Sequence, residues 1–259
     1  MLEDDFTYVI RKAFKGLNLS PSEAAALAGL PETEVLAFSR GQFSTGIARQ
    51  LAPSLGLDPD ALASHTSYLP QPLTLRGITR LDVPFEQERV NAWLIQLGDT
   101  TVLFDTGYQP GSCIEALGKS KPQHLFITHA HVDHVGGIPE FVARGLIPHG
   151  ASIIHAQPMQ PGDFIKAGPL SIRACDLSGH ANPALGYFID GFFQPILVTG
   201  DALFAGSIGG CATPQIYQHA LSQLREILAP LSDDTLLLPG HGPATTLGEE
   251  RVHNPFLAL

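Results

Sequence analysis

The stretch Thr128-His129-Ala130-His131-Val132-Asp133-His134-Val135-Gly136-Gly137 begins where the apolar run Leu125-Phe126-Ile127 ends. The run reads as a buried strand, and the loop at a strand end is where reactive side chains collect. Two imidazoles at i and i+2, followed closely by a carboxylate and a third imidazole, can face two neighbouring metal positions; one tetrahedral site would not use all four. At average residue frequencies such a fixed pattern arises by chance in roughly one chain in a thousand of this size. The motif therefore sets the expectation for everything around it.

Outward from it, Val90 to Leu97 alternates, Gly98-Asp99 signals a hairpin, and Thr101-Val102-Leu103-Phe104 follows, so two antiparallel strands are expected. Further strands are expected at 123–127, 151–155, 170–174, 185–189, 195–199 and 235–238. A helix is expected over 215–229, with Ile216, Ala220, Leu224, Ile227 and Leu228 on one face. Many strands with few helices between them point to an α/β (α+β) domain of packed sheets with helices outside, over residues 69–259.

The first 68 residues have a different texture and are expected to form a small all-α domain. Phe6, Val9, Ile10, Ala13 and Phe14 fall at helical spacing, and Ser20-Pro21 with Glu23 is a cap, a first-turn proline and a capping-box acid, closed by Gly29. Pro31 and Gly41 bracket a third helix, Thr45 is read as the cap of a fourth, and Asp58-Pro59 opens a fifth. Residues 66–78, with Pro70 and Pro72, read as a linker. The order of these helices resembles the repressor-type helix-turn-helix domain, which implies that residues 31–40 would enter a DNA groove. That helix carries Glu32 and Glu34 against Arg40, and residues 1–65 hold five basic side chains against eight acidic ones. Such a balance repels phosphates, so packing or homodimerisation is the expected role and nucleic acid is not an expected partner.

Composition narrows the remaining classes. Across 259 residues the net charge is -10, which disfavours anionic membranes and nucleic acid and leaves a small molecule as the expected substrate. Cys113, Cys175 and Cys211 are scattered and odd in number, so neither a disulfide framework nor a thiolate zinc site is expected. The Met-Leu-Glu-Asp-Asp start is unlike a signal peptide, and no long apolar run occurs. A cytoplasmic location is the expectation.

The histidine motif, taken with four further segments, resembles the metallo-β-lactamase superfamily over about residues 78–259. Those segments are Leu103-Phe104-Asp105-Thr106-Gly107, Ser178-Gly179-His180, Thr199-Gly200-Asp201 and Pro239-Gly240-His241-Gly242. The resemblance implies an αββα sandwich with two divalent metal ions at one edge of its sheets. His129, His131 and His180 would hold the first ion; Asp133, His134 and His241 the second; Asp201 would bridge them. Asp105 would act from behind, accepting a proton from a ligand imidazole. Imidazole and carboxylate ligands suit zinc, the leading choice, and also iron or manganese.

Two cations about 3.5 to 4 Å apart can share one water, lower its pKa toward neutrality and present a bridging hydroxide to an electrophilic carbon or phosphorus. Asp133 and Asp201 are then the candidate catalytic carboxylates. GDALFAGSIGG and PGHGPATTLGEERVHNPFL resemble glyoxalase II and its short relatives, implying thioester hydrolysis, with esters and lactones open to the same chemistry. Residues 208–211 read Ile-Gly-Gly-Cys where those relatives usually carry an arginine after the Ile-Gly pair. Few lysines or arginines lie near the motifs to grip a charged thiol. The alternatives are a mononuclear-iron enzyme resembling persulfide dioxygenases, and a DNA-binding regulator with a ligand-sensing metallo-β-lactamase domain.

Overall fold

A computed structural model describes residues 1–73 and 76–257. One sheet is built from β1 (Ile78–Phe85), β2 (Glu88–Leu97), β3 (Thr100–Phe104), β4 (His124–Phe126), β5 (His149–Gly150) and β6 (Gln157–Pro158), in that order. The second, from edge to edge, is β14 (Thr245–Thr246), β13 (Leu236–Pro239), β10 (Ile196–Gly200), β9 (Leu185–Asp190), β8 (Leu170–Asp176) and β7 (Phe164–Ala167). A short hairpin, β11 (Leu203–Phe204) with β12 (Ser207–Ile208), follows β10.

Strand periodicity decides which side chains meet which layer. Trp93, Ile95, Val102, Phe104 and Phe126 of the first sheet face Ile172, Tyr187, Ile189, Ile196, Val198, Leu236 and Leu238 of the second, giving the core between the sheets. The opposite face of the first sheet, with Ala92, Leu94, Leu103 and Leu125, packs on α6 (Ser112–Leu117) and α8 (Ile138–Ala143), between which the chain forms the short α7 (Val132–Val135). On the far side of the second sheet, Leu197 and Leu237 join a core with α9 (Pro214–Leu228) and α10 (Leu247–His253). The result is the four-layer αββα sandwich expected from the sequence.

The N-terminal helices α1 (Phe6–Leu17), α2 (Pro21–Ala28), α3 (Glu32–Ser39), α4 (Thr45–Leu51) and α5 (Pro59–Ser64) build onto this outer layer. Val9, Ile10, Phe14, Phe38 and Leu62 share one continuous core with Tyr217, Leu221, Leu224 and Phe256. Gly16 lies against the Tyr217 ring, where a Cβ would come within 2.3 Å of it. The Ser20–Glu23 capping box forms reciprocally. Ser44, not Thr45, caps α4, because Thr45 already has its place in the helix and the Ser44 hydroxyl reaches the Ile47 N–H.

Several local expectations change. The linker expected over 66–78 contains the buried Tyr68, whose hydroxyl donates to Glu250, and Ile78 already belongs to β1; residues 74 and 75 lie outside the described residues. β1 went unread because its alternation Leu81-Asp82-Val83-Pro84-Phe85 carries a proline, which argues against a strand; as an edge strand paired only to β2, it tolerates the proline. No strand forms over 151–155. Ser152 and His155 take left-handed backbone conformations there, and pairing ends at His149–Gly150. On α9 the fully buried stripe is Tyr217, Leu221, Leu224 and Leu228, with Ile216, Ala220 and Ile227 packed at its margin.

Candidate metal centre

β8, β10 and β13 run in the same direction, so the segments that follow them emerge at one edge of the second sheet. His180, Asp201 and His241 lie in those segments. β3 and β4 are likewise parallel, and deliver Asp105 and the 129–134 segment. An isolated bridge from His129 to Ala184 ties the two edges together. The seven side chains read from the sequence as a ligand set are thereby brought to one place.

They form two groups sharing one carboxylate. His129, His131, His180 and Asp201 are one group, and Asp133, His134, His241 and Asp201 the other, with donor atoms in each within 4.8 Å of one another. In the first, His131 Nδ1 lies 3.1 Å from His129 Nε2 and 3.0 Å from His180 Nε2. Asp201 Oδ2 stands 3.5 Å from His180 Nε2 and 3.8 Å from His129 Nε2. In the second, Asp133 Oδ2 is 3.1 Å from His241 Nε2, and Asp201 Oδ1 is 3.3 Å from His134 Nε2.

The outward-facing nitrogens explain which atoms point in. His134 Nδ1 donates to Asp105 Oδ2 at 2.8 Å, His180 Nδ1 to the Gly210 carbonyl at 3.0 Å and His241 Nδ1 to the Arg89 carbonyl at 3.0 Å. Each outer nitrogen thus holds a proton, so a neutral ring would present its Nε2 lone pair to the group. The Thr128 hydroxyl donates to Asp105 Oδ2 at 2.8 Å, and so accepts from His129 Nδ1 at 3.0 Å. Asp105 thus fixes one imidazole of each group. Its left-handed backbone (φ 61°) is one that aspartate tolerates better than most residues.

Inward lone pairs about 3 Å apart repel unless a positive charge stands among them. His134 Nε2 and Asp201 Oδ1 are moreover buried with no hydrogen-bond partner, a cost a structure retains only where another group satisfies them. The charges say the same. Burial drives His129 down to about 2, with the neighbouring imidazoles adding to the effect. Burial pushes His134 the same way, but the Asp201 and Asp105 carboxylates outweigh it and hold it well above the ordinary imidazole value. For His241, burial is likewise overcome by the bond to Asp133 and the charge of Asp201, raising it to about 9. Burial opposes ionisation of Asp201, yet His134 above all keeps its carboxyl well below the usual range. The donor set therefore calls for added positive charge, and its chemistry fits divalent cations.

Three neighbours were not legible as site residues. Glu3 Oε1 lies 3.8 Å from His241 Nδ1. Lys12 reaches the 208–210 segment from α1. The third is the Gly210 carbonyl. Gly210 stands in the GDALFAGSIGG stretch, but a backbone carbonyl leaves no side-chain signal there; Glu3 and Lys12 stand in no recognisable local pattern.

A shared buried carboxylate between two imidazole-rich groups, at one edge of an αββα sandwich, defines a metal-dependent hydrolase of a known class. The family model of the metallo-β-lactamase superfamily matches residues 86–171. Hydroxyacylglutathione hydrolase GloC of Haemophilus influenzae is 31% identical over 160 residues, covering 51% of this chain and 74% of that protein. Among solved structures, the BLEG-1 B3 metallo-β-lactamase superposes with a TM-score of 0.59 at 23% identity, over 70% of this chain and 100% of that one. The di-iron-bound form of TTHA1623 does so with a TM-score of 0.56 at 26% identity, over 68% and 99%. The chain belongs to the metallo-β-lactamase superfamily.

Proposed function

We propose that the chain is a two-metal hydrolase of small acyl thioesters, with esters and lactones as lesser substrates. The observation that carries this reading is the pair of donor groups joined through Asp201, with outer hydrogen bonds turning the His134, His180 and His241 Nε2 atoms inward. His129, His131 and His180 would hold one ion, Asp133, His134 and His241 the other, and Asp201 both. Zinc is our assignment; the di-iron form of the structural relative supports iron as the second choice. Two divalent ions held there would supply Lewis acidity toward a carbonyl oxygen and a water acidified toward neutrality as nucleophile.

The chain's own residues do the rest. Asp133 commits Oδ2 to the His241 side and leaves Oδ1 to take the proton of the attacking water. Ala130, His131 and Val132 are exposed, so substrate approaches over that rim. A thiolate leaves with little help from a general acid, which suits a site whose remaining titratable groups are committed to ligation. The name of the GloC relative supports a thioester.

A hydrolysis screen of acyl thioesters, lactones and phosphodiesters, with metal measured in the same preparation, tests this. The expected result is about two ions per chain and the highest kcat/KM on a thioester. One iron per chain, with oxygen uptake on glutathione persulfide, would replace hydrolysis by dioxygenase chemistry.

Asp105→Ala probes the support behind the ligands. It leaves the His134 Nδ1–H and the Thr128 hydroxyl without their buried acceptor. Metal affinity, read by chelator competition, is expected to weaken roughly 10–100-fold. Unchanged affinity for both ions would show that Asp105 serves the turn alone.

A further inference from the structure

A lysine of the N-terminal helices reaches the segment beside the metal centre. Lys12 lies on α1, and its ammonium donates to the Ile208 carbonyl at 2.7 Å, 196 residues away in sequence. It is also ion-paired and hydrogen-bonded to Asp4, and stands 5.1 Å from the centre of the Phe204 ring. The pair is largely withdrawn from water, with side-chain exposures of 17% for Lys12 and 7% for Asp4. The Lys12 stem lies alongside Gly210: a Cβ there would stand 3.9 Å from Lys12 Cγ and Cε, at ordinary contact distance.

What Lys12 holds is the segment that orients a ligand. The β11–β12 hairpin follows Asp201 directly and continues into Gly209 and Gly210. The Gly210 carbonyl accepts the His180 Nδ1 proton at 3.0 Å. Gly209 is wedged between the same groups, since a Cβ would meet the Asp201 carbonyl oxygen at 1.9 Å and His180 Cβ at 2.7 Å. A small shift of this backbone therefore moves the His180 imidazole. The N-terminal unit grips the hairpin a second time through His65 Nε2, 3.0 Å from the Gly206 carbonyl.

We infer that Lys12 is a positioning residue for the metal centre, fixing the 208–210 backbone and through it the His180 imidazole, so that the N-terminal helices are a working part of the site. The inference rests on the two-metal reading above. A role as substrate anchor is disfavoured by geometry. The ammonium already donates to the Asp4 carboxylate and the Ile208 carbonyl and lies beside the Phe204 ring, so its charge is neutralised and its strongest donors are committed within the protein.

The test uses the full chain as Lys12→Met and as the double variant Asp4→Asn/Lys12→Met. The double variant removes the uncompensated buried carboxylate that would otherwise threaten folding, yet still leaves Ile208 without its ammonium donor. Metal-free protein is titrated with zinc against a chromophoric chelator, and kcat and KM are measured on the best substrate of the screen. Both variants are expected to bind the ion of the His129, His131 and His180 group roughly 10–100-fold more weakly, with the other ion's affinity unchanged. The loss of turnover should fall on kcat and leave KM near its wild-type value. A double variant that holds both ions with wild-type affinity overturns the inference and leaves the hydrolase reading standing. A rise in KM alone makes Lys12 a substrate contact and also overturns it. A wild-type chain that takes up no divalent ion overturns both.

Discussion

Asp201→Ala will abolish turnover and reduce the bound metal from about two ions per chain to one or none. Among the described residues, Asp201 is the only side chain common to both donor groups. Its carboxylate lies within 3.8 Å of four ring nitrogens, those of His129, His134, His180 and His241. Removing it takes a negative charge from a buried cluster that gathers positive charge, and it detaches the two groups from each other. Losing several kcal/mol of charge stabilisation corresponds to at least about 10³-fold in kcat. Asp201→Asn separates charge from shape: it fills the same space without the charge, and is expected to lose metal and activity to a similar degree. Metal analysis and steady-state kinetics on both variants are the measurements. A variant that keeps two ions and wild-type kcat would sink the shared role given to Asp201.

The parts of this site that could be read in the sequence are those encoded by short-range pattern. His129 to His134 stand together in one short segment after β4, and His180, Asp201 and His241 each follow a strand whose pattern marks its end. A strand that alternates between two buried faces, such as Ile196-Leu197-Val198, announces a sheet covered on both sides, which is most of what the sandwich requires. What stayed hidden depends on contacts between distant segments. Lys12 is an ordinary lysine on an amphipathic helix until its 196-residue reach to Ile208 is known. Glu3 sits in an acidic start that reads as solvated, yet its backbone packs 3.2 Å from where a Cβ of Gly242 would stand. Ile153 and Ile154 have strand composition without a strand, because the left-handed residues around them turn the chain away. Local propensity loses there to the end of the neighbouring ladder.

Gly240→Ala will disable the site without contributing or removing any ligand. A Cβ at residue 240 would lie 2.1 Å from Asp201 Oδ1 and 2.7 Å from His134 Cε1, well inside contact distance. The backbone cannot retreat easily. Its carbonyl accepts from the Asn91 N–H at 2.7 Å, its own N–H donates to the Gly200 carbonyl at 2.9 Å, and the adjacent Pro239 carbonyl accepts from Trp93 Nε1 at 2.8 Å. The added methyl must therefore displace Asp201 or His134, the two groups whose inward atoms are buried without protein partners. Overpacking of this kind costs about 1–3 kcal/mol, enough to lower the melting temperature by several degrees while leaving the protein folded. The larger effect falls on function, because a shift near 1 Å at a ligand is expected to reduce kcat roughly 100-fold. Gly46→Ala is the matched control: it lies in α4, where the nearest atom to the new methyl is Ser44 Oγ at 3.8 Å, and alanine favours the helix. Its metal content and kcat should equal those of the wild type. If Gly240→Ala also retained two ions and full kcat, the close packing between Gly240 and Asp201 would not be what holds the shared carboxylate in place.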